Sequence, residues 1–179
     1  MTAAMGYIGP MRILMLFLAL PVLLSSLAGV ATAGEAESGW DATPEARARL
    51  IAGVSATGVV GAAPLGLEIV LKEGWKTYWR APGPQGYAPR LDWFGSENLA
   101  GVEIVWPTPK RFQILGFDSI GYMGTVILPL NARFQDPAKP AHLQLTLDYL
   151  TCSNVCVPQT ATLSLDLPAG GPAPTILKV

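Results

Sequence analysis

The stretch LTCSNVCVP, Leu150 to Pro158, holds both cysteines of the chain, Cys152 and Cys156, four residues apart. Before it, Leu143, Leu145, Leu147 and Tyr149 alternate with Gln144, Thr146 and Asp148; after it, Ala161, Leu163, Leu165 and Leu167 alternate with Thr162, Ser164 and Asp166. Strict alternation on both sides predicts two half-buried strands, with the cysteines at the junction of a hairpin. In one straight strand, residues four apart lie roughly 13 Å apart, and a disulfide needs Cα atoms at about 4.4–6.8 Å. The chain must therefore turn if the two are to bond, and Ser153 and Asn154 are turn formers. As a staple the bond would be weak, because so short a loop contributes only about 2 kcal/mol.

Spacing alone leaves the role of the pair open. A plain hairpin disulfide in an exported protein fits it. So does a Cu(I)-handling pair of thiolates, although no Met-rich or His-rich segment accompanies it. Two thiols and the single His142 fall short of the four ligands of a closed zinc site.

The surrounding chain narrows the choice. It has 179 residues, 50% hydrophobic and 14% charged, which suits one globular domain with extensions. A net charge of −1 supplies no basic field, so nucleic acid, DNA included, is not expected as a partner. The N-terminus reads as an address. Arg12 precedes an apolar run from Ile13 to Leu27, and Ala31-Thr32-Ala33 offers small residues for a signal peptidase. The run is short for a membrane span. Residues 1–33 are thus expected to be a secretory signal peptide cleaved near Ala33, with Met11 as the true start and Gly34 as the first mature residue. No cysteine follows the run to carry a lipid. Export would place both cysteines where disulfides can form and persist.

Residues 34–48 read as a flexible lead-in, 49–168 as the folded domain and 169–179 as a Gly/Pro tail. From Arg49 onward the pattern is β. Leu65, Leu67, Ile69 and Leu71 alternate with other residues, as do Val126, Leu128, Leu130, Ala132 and Phe134 across Pro129, which suggests an edge strand or a bulge. Val102–Trp106 is a shorter candidate. At least five strands with Gly/Pro-rich connections and no helical period predict an all-β sandwich. Two dense stretches separate the strands. GWKTYWRAPG, Gly74 to Gly83, reads as aromatics closing one end of the sandwich or as a docking surface. WPTPKRF, Trp106 to Phe112, reads as a rigid connection with two solvated cations.

GWKTYWRAPG, LDWFGSENL, WPTPKRF, SIGY and LDYLTCSNVCVP occur in an order that resembles the N-terminal periplasmic domain of the DsbD and ScsB thiol:disulfide interchange proteins, with the ScsB-like branch the nearer. The likeness spans roughly Arg49 to Leu167. It implies an immunoglobulin-like β-sandwich in which Cys152 and Cys156 cycle between dithiol and disulfide. It also implies a protein-disulfide reductase-type redox carrier that takes electrons from a membrane-embedded transporter and passes them to periplasmic thioredoxin-like oxidoreductases. No cofactor or metal is implied. By the same analogy Cys156 forms the mixed disulfide and Cys152 resolves it. Full-length relatives continue into a multi-helix membrane domain and a thioredoxin-like domain, whereas this sequence stops at Val179. It is expected to be either a stand-alone relay that needs a separate membrane partner or a truncated gene product.

Overall fold

The structure, a computed structural model, describes residues 1–2, 36–58, 62–84 and 86–170. The expected signal peptide, its cleavage site and the tail beyond Gly170 lie outside the described residues. Among those described, eleven strands form two antiparallel sheets that enclose the main hydrophobic core between them. This is the expected all-β, immunoglobulin-like sandwich.

The first sheet contains β1 (Asp41–Ala42), β2 (Ala46–Ala52), β3 (Ala63–Leu71), β9 (Thr125–Phe134) and β6 (Leu99–Ile104), in that order. Its inner face is built by the predicted alternation: Leu65, Leu67, Ile69 and Leu71 from β3, and Val126, Leu128, Leu130 and Ala132 from β9, all buried. The sheet also reaches further towards the N-terminus than expected. Residues 41–48, read from sequence as flexible lead-in, contribute β1 and the start of β2. Ala46, Ala48, Leu50 and Ala52 point into the core, but alternating alanines are a faint β signal beside branched or aromatic residues.

Pro129 does not mark an edge strand. β9 lies between β3 and β6, and the proline sits where β6 runs out. The β6 ladder ends at Ile104↔Leu130, and just beyond it the Val105 amide donates to the Pro129 carbonyl at 2.8 Å. The N–H that proline lacks would face the end of that ladder, so little is lost. The irregularity in pairing lies instead in β6, between Leu99 and Gly101.

The second sheet runs β11 (Cys156–Leu167), β10 (Ala141–Cys152), β4 (Lys76–Tyr78), β8 (Phe117–Met123) and β7 (Lys110–Ile114). β5 (Arg90–Asp92) pairs with β10 lower down, across Thr146–Asp148. The cysteine hairpin is its longest ladder, in register from Ala141↔Leu167 to Cys152↔Cys156. Leu143, Leu145, Leu147 and Tyr149 meet Leu163, Leu165 and Leu167 in the main core. Part of the expected rigid connection is a strand: Lys110–Ile114 forms β7, with Phe112 and Ile114 facing inward while Lys110 and Arg111 are exposed, as expected.

A redox-type disulfide at the end of the second sheet

The alternation that buries one face of β10 stops at Tyr149. Leu150, Thr151 and Cys152 are all buried, so the end of the strand is covered on both faces. Leu150 and Cys152 belong to a small second core with Tyr78 and Ile114, against which Tyr87, Phe112 and Cys156 pack. The pair stands at the outer end of a strand with protein on both sides.

Cys152 and Cys156 are bonded, with Cα atoms 4.1 Å apart. They are the last facing pair of the β10–β11 ladder, and Ser153, Asn154 and Val155 close the turn, with the Ser153 amide donating to the Val155 carbonyl. The two sulfur-bearing residues differ in access. Cys152 has 0% exposure, Cys156 is half-buried and Val155 is 58% exposed. An incoming thiolate therefore meets the Cys156 side of the bond.

The GWKTYWRAPG stretch supplies what lies against the buried sulfur. Its period of two places Trp75, Thr77 and Trp79 on one face of β4 and Lys76 and Tyr78 on the other. Trp75 and Trp79 pack on the main core, and Tyr78 enters the second one. The Tyr78 hydroxyl donates to Cys152 Sγ at 3.2 Å. Burial pushes the Tyr78 phenol above its ordinary value, and a hydrogen bond with Ser119 opposes that shift in part. The phenol thus stays protonated and able to donate. Thr77 Oγ1 donates to the Leu150 carbonyl at 3.0 Å, which ties β4 to β10 one step away. Of the two readings of the aromatics, packing holds: Tyr78 is buried, and Trp75 and Trp79 are half-buried on the core.

Lys76 is the cation that sequence reasoning missed. It pairs directly with Cys152 across β4 and β10, so both side chains leave the same face with Cβ atoms roughly 4.5–5.5 Å apart. Its ammonium donates to the Gly74 carbonyl at 3.1 Å and lies 6.0 Å from the centre of the Phe112 ring. The sequence signal was available in the alternation of W-K-T-Y-W, which sets Lys76 and Tyr78 on a common face. SIGY supplies the support beneath. Ser119 meets Tyr78, and Gly121 pairs with it so closely that a Cβ there would lie 2.0 Å from the Thr77 carbonyl oxygen.

Comparison with known proteins agrees with this geometry. Residues 47–168 match the family model for the N-terminal domain of thiol:disulfide interchange protein DsbD. The chain belongs to the DsbD N-terminal domain family. This DsbD-family domain is also similar to the crystal structure of the N-terminal periplasmic domain of ScsB from Proteus mirabilis. That match has a TM-score of 0.63 and 34% identity, and covers 75% of this chain. The chain spans about half of the ScsB structure, 52% of its length. The reduced N-terminal domain of DsbD from Neisseria meningitidis matches at 12% identity and a TM-score of 0.38, over 71% of this chain and 90% of the other. No curated protein sequence matches the chain. The family is named for thiol:disulfide interchange proteins, and in this member the two cysteines form the Cys152–Cys156 disulfide.

Proposed function

We propose that the DsbD-family domain is a periplasmic relay. It takes reducing equivalents from a membrane-embedded electron transporter and delivers them to periplasmic thioredoxin-like oxidoreductases through Cys152 and Cys156. The observation that carries this reading is the asymmetry of the pair: Cys156 is half-buried, while Cys152 is fully buried under the Tyr78 hydroxyl.

Loading begins when a donor thiolate attacks the Cys156 sulfur. A donor–Cys156 bond forms, the Cys152–Cys156 bond breaks, and its electron pair leaves on Cys152 as a thiolate. Tyr78 is positioned to hold that charge, since a hydrogen bond to a charged group is about twice as strong as one to a neutral group. The Lys76 ammonium favours the same charge. The donor's second thiolate then attacks its own bonded sulfur and releases Cys156 reduced. Two electrons have moved, and the two thiolates take up protons from water. Delivery runs the sequence in reverse. The Cys156 thiolate attacks an acceptor disulfide, and Cys152 attacks Cys156 to re-form the internal bond and free the acceptor as a dithiol.

A redox titration of the purified domain, with free thiols counted by mass spectrometry, tests the reading. A relay should titrate as a two-electron couple within the range of oxidoreductases, about −120 to −270 mV. A potential below about −300 mV would mark a structural disulfide and an inert sandwich.

A further inference from the structure

β7 and β8 are joined by two residues, Leu115 and Gly116, between the facing pair Ile114↔Phe117. Both have positive φ, 51° for Leu115 and 84° for Gly116. That is a type I′ hairpin turn, whose first position favours Asn, Asp or Gly because a bulky side chain there crowds the backbone. A branched leucine occupies it and is 57% exposed. It contributes neither turn preference nor burial at that position, and held strain of this kind collects at working surfaces.

The turn lies beside the redox pair. Leu115 and Gln113 border the same open groove as Ser153 and Asn154 of the cysteine turn, with Gly74 and Lys76 as its floor. Val155, next in the chain to Asn154, is exposed, and Phe117, two residues beyond Leu115 and paired with Ile114 in the ladder, is 46% exposed. Among the described residues, Lys76 is the one charged residue lining the groove. Any protein whose sulfur bonds to Cys156 must bring its surface against Val155, the neighbouring residue, in the same turn as the groove-lining Ser153 and Asn154.

We propose that the Leu115–Gly116 turn is a docking contact. Leu115, with Val155 and Phe117, forms an apolar rim that seats the cysteine-bearing face of a thioredoxin-fold oxidoreductase while its thiolate reaches Cys156. The proposal rests on the relay reading and names the surface that reading needs. An apolar occupant without its own cations fits a rim that carries a single lysine. Leucine is retained at a cost in backbone strain because its side chain is used in the complex rather than in the fold.

The test is Leu115→Asn, which supplies the residue that the turn prefers. Reduced thioredoxin and reduced glutathione serve as donors to the oxidised domain, and glutathione needs no docking surface. The variant is expected to melt about 3 °C higher. Its reduction by thioredoxin should slow about tenfold, as for loss of an interface anchor, while reduction by glutathione stays unchanged. A lower melting temperature would make Leu115 an ordinary packing residue and overturn the proposal. An unchanged thioredoxin rate in the variant, with wild type still preferring thioredoxin to glutathione, would overturn the docking surface but leave the relay standing. If wild type shows no preference for thioredoxin, the relay reading fails, and the docking surface with it.

Discussion

The Tyr78 hydroxyl points at the sulfur of Cys152, 74 residues away in sequence, and donates to it at 3.2 Å. One hydrogen bond thereby joins the GWKTYWRAPG stretch to the cysteine hairpin. On the proposed relay reading, it favours Cys152 as the sulfur that leaves as a thiolate.

Tyr78→Phe removes that donor and keeps the ring. The oxidised domain should lose only about 1 kcal/mol, the usual net worth of a neutral hydrogen bond. Exchange should suffer more, because the bond strengthens as charge develops on Cys152. Stopped-flow reduction by a dithiol should slow about tenfold. A stability loss with an unchanged rate would make Tyr78 a packing residue.

Lys76 should lower the thiol pKa of the reduced pair through its charge. Lys76→Met is expected to raise the apparent pKa by up to about one unit, and Lys76→Arg to preserve it. Thiolate absorbance followed against pH measures both, and the difference should shrink in high salt. Identical titrations of Met and Arg variants would exclude an electrostatic role.

Gly121→Ala should disrupt the site from below. The added Cβ would lie 2.0 Å from the Thr77 carbonyl oxygen and 2.8 Å from the Tyr78 Cα, so β4 must separate from β8. Backbone has nowhere to give in a paired ladder, and a loss of about 3 kcal/mol or more is expected in denaturant unfolding. Wild-type stability in this variant would show that the strands are less tightly apposed.

Alkali should unfold the domain in a defined window. Burial raises Tyr122 and Tyr149 from 10.0 to about 12, with Asp41 and Glu45 adding to the shift at Tyr149 and Arg80 opposing it at Tyr122. Between about pH 10 and 12 the unfolded chain releases these protons and the native state holds them. Their effect on stability is therefore absent below about pH 10, and stability falls as pH rises towards 12. Ultraviolet titration should show Tyr122 and Tyr149 among the tyrosines that ionise late, together with loss of structure. Ionisation of Tyr122 and Tyr149 near pH 10 in a folded protein would contradict the burial described for them.

Much of this was legible in the residues, and the gaps have physical causes. The cysteine hairpin was clear because leucines and one tyrosine alternate with polar residues over both strands. β1 and the start of β2 were missed because Ala46 and Ala48 bury well but signal weakly. Pro129 misled because proline is costly inside a sheet only where a partner strand needs its N–H, and β6 ends there. Both cysteines stood out at once. Tyr78, Lys76 and Ser119 did not, since Tyr78 and Lys76 meet Cys152, and Ser119 meets Tyr78, across strands distant in sequence, and periodicity assigns a face without saying what covers it. The strained Leu115 was invisible for a similar reason: its φ is a property of a two-residue turn, which only the pairing of β7 with β8 reveals.

The central claim is that Cys156 exchanges while Cys152 resolves, and mixed-disulfide trapping tests it most directly. Cys152→Ala and Cys156→Ala domains would each be incubated with an oxidised thioredoxin-fold protein and run on gels with and without reductant. The account predicts a reductant-sensitive adduct through Cys156 in Cys152→Ala, and little or none in Cys156→Ala. Adducts chiefly in Cys156→Ala would contradict the assignment of roles, and none in either variant, with the partner in excess, would contradict the relay itself.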